Sequence, residues 1–284
     1  MSLLLEPFTC ATCGFMRDAL LAGLVVVVAT SLVGTWVVLR GMTFLGDALA
    51  HGVLPGIAAA VLIGVHPVLG ATVGALVMIW GVGLVHRRAR LTEDAAIGLL
   101  FVGMLALGVV IVSKQAAYAG DLTAILFGDV LAVTGTDLAV VVAAAVVVAV
   151  ATAALYRVLL VLSFSDRKAE ALGLRPRLAH GLLLGLVALA IVSSFRAVGA
   201  LLVFAFLVAP PATAALVVRR VPAMMLAAIG FGAAGVVVGL LVSFHAGTAA
   251  SATMAGASVA LFFVVLLVRE LAAAADEKRQ PAGG

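Results

Sequence analysis

The chain has 284 residues, 65% hydrophobic and only 11% charged, with 17 Lys+Arg against 13 Asp+Glu for a net charge of +4. Soluble domains carry roughly 25% charged residues, so at a mean hydropathy of +1.33 the solvent of this fold is a bilayer and not water. Uninterrupted apolar runs such as 138–155 lack the alternation of a barrel wall, and the basic residues lie between apolar runs, as membrane-flanking loops do, and not as a nucleic-acid surface.

Taken in order, residues 1–17 read as an external N-terminal segment without the basic start of a cleavable leader. Its Cys10 and Cys13 are at most half of a four-ligand zinc site, a disulfide if external, or an incidental pair. A transmembrane domain follows at 18–271, where a span needs about 20 apolar residues. Nine membrane helices are predicted, at 18–39, 43–65, 67–86, 94–113, 137–160, 179–195, 198–218, 222–244 and 249–269. The sixth is short and can form a bent hairpin with the seventh around Arg196. The tail 272–284 reads as a frayed helix end passing into a flexible cytoplasmic segment.

Loop charges predict the orientation. Basic groups at His86–Arg90, at 166–177 (Arg167, Lys168, Arg175, Arg177), at Arg219-Arg220 and at Arg269, Lys278 and Arg279 belong in the cytoplasm. The loop 114–136 carries Asp121 and Asp129 against Lys114 and reads as external. The N-terminus then lies outside and the C-terminus inside; Arg40 agrees with this, while Arg17 and Arg196 oppose it. Glycines four apart (Gly52/Gly56, Gly70/Gly74, Gly181/Gly185, Gly235/Gly239) predict close helix crossings.

Chemistry concentrates at Asp47 and His51, inside an otherwise apolar segment. Four apart on a helix, they share one face. An ionisable group at membrane depth costs about 2.5–3.5 kcal/mol or more, which favours a place beside a cavity or path. Carboxylate plus imidazole suits zinc, manganese or iron better than potassium or copper(I). Pro55 offers no N–H to the His51 carbonyl and bends the helix there. Two ligands bind weakly, as a conduit requires, and two copies of the chain would supply four. Plainer readings stay open: Asp47 as a helix N-cap and His51 as a satisfied interior histidine.

His66, His86, His180 and His245 fall at helix ends or turns and lack a partner at ligand spacing. Pro210-Pro211 removes the N–H donors that the Phe206 and Leu207 carbonyls would use, so this helix break either lines a path or is a packing kink. Around 166–177 a short helix is predicted, capped by Asp166 and ended by Gly173; its charged face either docks a soluble partner or is simply solvated. No G-x-x-x-x-G-K-[ST], H-E-x-x-H or G-x-S-x-G occurs, so nucleotide cradling, zinc proteolysis and serine hydrolysis lack their residues.

Four stretches recur together. They are Arg40-Gly41-Met42-Thr43-Phe44-Leu45-Gly46-Asp47-Ala48-Leu49-Ala50-His51; Glu93-Asp94-Ala95-Ala96-Ile97-Gly98; Leu126-Phe127-Gly128-Asp129-Val130-Leu131; and Val198-Gly199-Ala200-Leu201-Leu202-Val203 through Pro210-Pro211-Ala212-Thr213-Ala214. In these the sequence resembles permeases of the zinc, manganese and iron group of bacterial ABC importers, over about 18–269. The resemblance implies an all-α, type II-like permease in the bacterial inner membrane. It implies a homodimer with two cytoplasmic ATP-binding subunits and an external metal-binding protein, with no permanent cofactor and ATP bound on the partner. It implies that Asp47 and His51 are transient ligands of the carried metal. It also implies that 166–177, with Arg167, Lys168, Glu170 and Gly173, is the coupling helix. The doubled proline departs from the family's usual single one. Zinc is weakly preferred over manganese, because four-coordination fits two Asp/His pairs. The competing class is an ion-coupled carrier with Asp47/His51 as a proton or cation relay. It usually shows internal repeats, and none is evident here. A membrane-embedded enzyme would need a third catalytic group at depth, and the sequence offers none.

Overall fold

A computed structural model describes residues 14–89, 91–113, 130–164, 169 and 173–279. Cys10, Cys13, Asp121, Asp129, Asp166, Arg167, Lys168 and Glu170 lie outside the described residues. The described chain is almost entirely helical: α1 Gly14–Leu39, α2 Thr43–Gly52, α3 Leu54–Leu62, α4 Pro67–Ala89, α5 Glu93–Val112, α6 Gly135–Phe164, α7 Pro176–Val217, α8 Val221–Ala246 and α9 Ala250–Arg279, with a 3-10 turn at Val130–Ala132. Eight spans are long and apolar enough to cross a membrane, and the shorter Leu202–Val217 makes a ninth apolar segment.

Local chemistry sets the helix ends. The Thr92 hydroxyl accepts the Ala95 N–H at 3.3 Å and starts α5. Thr134 and Asp137 cap α6 reciprocally, the Asp137 N–H reaching the Thr134 hydroxyl at 3.3 Å and the Thr134 N–H reaching Asp137 Oδ2 at 3.2 Å. Gly173, at φ 70°, ends the turn at Ala169, whose carbonyl accepts the Leu174 N–H at 3.0 Å.

The bundle is centred on α1. Of its apolar span 67% is buried, against 17% for α9. It packs on α6, α7 and α8, with Trp36 edge-on to Tyr156 of α6 at 5.6 Å. The outer helices turn large apolar side chains outward, among them Trp80, Val102, Val150 and Phe263. Such a surface requires lipid around it.

The segment 43–65 holds as one apolar span, Thr43–Leu62, in which α2 and α3 meet at Val53; that residue stays helical, its N–H on the Leu49 carbonyl at 3.2 Å and its carbonyl accepting the Ile57 N–H at 3.0 Å. Three expectations change. The segments 179–195 and 198–218 stay two helical stretches, Leu178–Phe195 and Leu202–Val217, but the break in α7 falls at Gly199 (φ 75°, ψ 161°) and not at Arg196; only glycine adopts that conformation without strain. The helix does not break at Pro210-Pro211, which sit buried inside α7. Finally, α9 continues to Arg279, beyond the expected end at 269.

The glycine pairs divide. A Cβ on Gly56 would strike the Gly70 carbonyl, and one on Gly239 would strike the Met254 backbone, so α3–α4 and α8–α9 do cross at near backbone contact. Gly181 and Gly185 face open space.

Candidate metal-pathway site

Asp47 and His51 sit in mid-α2, one turn apart on one face. Asp47 is not a cap, since Met42 holds the N-cap position. Glycines flanking the pair fix the helix. Gly46 receives Leu207 and Phe204 of α7, and Gly52 receives Met78 of α4. A Cβ at either position would press on these side chains, so α2 lies close against α4 and α7 at its two glycines.

His51 Nε2 lies 3.5 Å from Asp47 Oδ1, with side-chain exposures of 20% for the histidine and 24% for the aspartate. The pair is therefore reachable and not sealed in the core. His51 Nδ1 is buried without a hydrogen-bond partner. This does not match a satisfied interior histidine, whose buried polar atoms are normally all bonded. Nε2 is the nitrogen on the side of Asp47, so a cation shared by the two residues would meet Nε2 and the carboxylate.

A third residue against the pair carries no sequence signal. Phe101 of α5 lies edge-on to His51 at 5.6 Å and to Phe44 at 5.5 Å. Phe44, Asp47 and His51 occupy one stripe of α2, at spacings of three and four. Phe101 thus meets both ends of that stripe, Phe44 and His51.

The other candidates lie elsewhere. Pro55 is buried at the start of α3, close to Gly108 of α5. Pro210 packs on Gly232 of α8, and Pro211 packs on Gly34 of α1. Gly34 also meets the Leu207 carbonyl, the one that Pro211 leaves without its helical donor. The proline pair is therefore a packing contact between α1, α7 and α8. Of the coupling candidates, Gly173 ends a turn whose Ala169 is buried against Leu162 and Ala179. His86 Nδ1 bonds the Leu91 carbonyl and His245 Nδ1 the Leu241 carbonyl, each at 2.8 Å, and His66 Nδ1 accepts the Val68 N–H at 3.4 Å. Among the described residues, no group of three or more His, Cys, Asp or Glu is placed to hold an ion.

The pattern of the family described as "ABC 3 transport family" matches residues 12–269. The chain belongs to that family. It is a permease of the metal ABC transporter type, a transport component that crosses the bacterial inner membrane many times. Among its relatives, the "Manganese transport system membrane protein MntC" of Listeria innocua is 36% identical over 254 residues, covering 89% of this chain and 90% of that protein. The "Probable iron transport system membrane protein" of Haemophilus influenzae is 34% identical, covering 93% and 96%. A solved structure, "PsaBC from Streptococcus pneumoniae in complex with Fab", superposes with a TM-score of 0.81 at 29% identity, covering 93% of this chain and 94% of that one. Membership of an ABC family does not favour the ion-coupled carrier.

Proposed function

We propose that this permease carries a divalent transition metal into the cytoplasm by alternating access, driven by separate ATP-binding subunits, with Asp47 and His51 as the transient ligands. One observation carries the reading: an acid and an imidazole 3.5 Å apart, part-exposed in an apolar membrane helix, with Nε2 on the side of the carboxylate. Keeping two ionisable groups there is costly unless a cation uses them.

Manganese(II) is the first ion to test. Two relatives carry manganese or iron in their descriptions, and the zinc preference rested only on coordination number. Two donors from one chain make a weak site, and a second copy facing it across an axis would bring the number to four. An external binding protein would deliver the ion. In the proposed orientation the N-terminus is outside, and the cytoplasmic segment 166–177, with Arg167, Lys168, Glu170 and Gly173, takes up the motion of the ATP-binding subunits.

The test is manganese accumulation in cells expressing the complete transporter, with wild-type permease or Asp47→Ala/His51→Ala. The double variant should reach the membrane at wild-type level and accumulate no more metal than cells lacking the gene. Uptake at the wild-type rate would remove the pair from the pathway.

A further inference from the structure

A groove of 330 Å³ separates the end of α7 from α9. Leu216 and Val217 form one wall, and Val264, Val265 and Val268 form the other. Arg269 is the one charged residue lining it. Val217 is the last residue of α7, and Arg219 and Arg220 follow two and three residues later. All three arginines are exposed, and none has an ion-pair partner among the described residues. Glu270 is exposed beside Arg269 but does not line the groove.

An apolar slot ending at the Arg269 guanidinium, with Arg219 and Arg220 following its other wall in sequence, has two requirements. Its walls lose dispersion contacts unless something apolar fills them. Its arginines want an anion with several acceptor oxygens, which a phosphate supplies in the fork geometry of guanidinium. Both requirements are met by one molecule lying along the helices, with its tail between α7 and α9 and its phosphate at the membrane boundary. Basic pockets between membrane helices take lipid head groups in this way. A zwitterionic head group would bring its own cation against the arginines.

We propose that the α7–α9 groove is a binding site for one anionic phospholipid, with an acyl chain on Val217, Val264 and Val268 and the phosphate held by Arg269, assisted by Arg219 and Arg220. The site is independent of the metal pair on α2, and the proposal stands or falls apart from the ion carried.

Native mass spectrometry of the purified full chain, delipidated and titrated with phosphatidylglycerol or phosphatidylcholine of equal chain length, tests it. The first lipid should bind in a single preferred stoichiometry, the second weakly. One arginine near a membrane surface is worth about 1 kcal/mol, so Arg269→Gln should weaken phosphatidylglycerol binding about fivefold. Arg219→Gln/Arg220→Gln/Arg269→Gln should abolish the preference between lipids. Val264→Trp, which fills the slot at an exposed position and leaves all three charges, should also lose the bound lipid; its unfolding midpoint checks that it is folded. Inorganic phosphate at millimolar concentration should not compete. Equal binding of both lipids, retention by the folded Val264→Trp chain, or displacement by phosphate would each overturn the assignment. So would cross-linking of Val268→Cys to an ATP-binding subunit in the assembled transporter, which would make the groove a protein contact.

Discussion

At the scale of single residues, the pair on α2 was visible because charge is rare in a membrane span. Asp47 and His51 stand out against the apolar residues around them, and their spacing alone puts them on one face. Phe101 could not be found that way. An aromatic residue in an apolar helix carries no contrast, and only the packing of α5 on α2 brings it to His51. An edge-to-face contact is worth about 1 kcal/mol, which holds the imidazole in one orientation. Phe101→Ala should therefore raise the apparent KM for manganese uptake about fivefold at unchanged membrane abundance, while Asp47→Ala/His51→Ala removes uptake altogether. Phe101→Leu keeps most of the bulk without the ring edge. Should it transport with wild-type KM, the contact is mere filling.

At the scale of elements, helix lengths followed from apolar runs, whereas the interruptions depended on backbone geometry. Two proline signals were read, with different outcomes. Pro55 lies in the first turn of α3, just after the junction with α2 at Val53, where a missing N–H does little harm. Pro210 and Pro211 stay inside α7, because Gly34 and Gly232 let neighbouring helices close over them. The real break in α7 belongs to Gly199, a residue that reads from sequence like any other glycine in a span. Its φ of 75° with ψ of 161° is open to glycine alone. Gly199→Ala should cost about 1–3 kcal/mol, seen as a lower unfolding midpoint of the purified protein. An unchanged midpoint would mean that the backbone can relax out of this conformation. The four-apart glycines make the same point. Gly56 with Gly70, and Gly239 with the Met254 backbone, hold crossings, while Gly181 and Gly185 touch nothing. Spacing specifies a smooth face, not what lies against it.

At the scale of the molecule, composition settles the solvent, and loop charge proposes the orientation. If the positive-inside reading holds, the turn at Arg220 is cytoplasmic and the turn at Thr248 external, since α8 runs between them. In a chain with Cys10 and Cys13 replaced by serine, Thr248→Cys should react with an impermeant maleimide in intact cells. Arg220→Cys should react only after permeabilisation. The reverse pattern would invert the whole topology, and with it the side from which metal enters. By itself the sequence determined the membrane class, the helix count to within one and that Asp47 and His51 share one helix face, because hydropathy and short-range periodicity are properties of a chain before it folds. Tertiary structure alone decided that α1 is the centre, that α7 breaks at Gly199, that Phe101 meets His51 and that α7 and α9 leave a groove. Inside a bilayer, apolar residues look alike to the solvent, so which helix meets which is settled by shape, and shape exists only once the backbones are brought together.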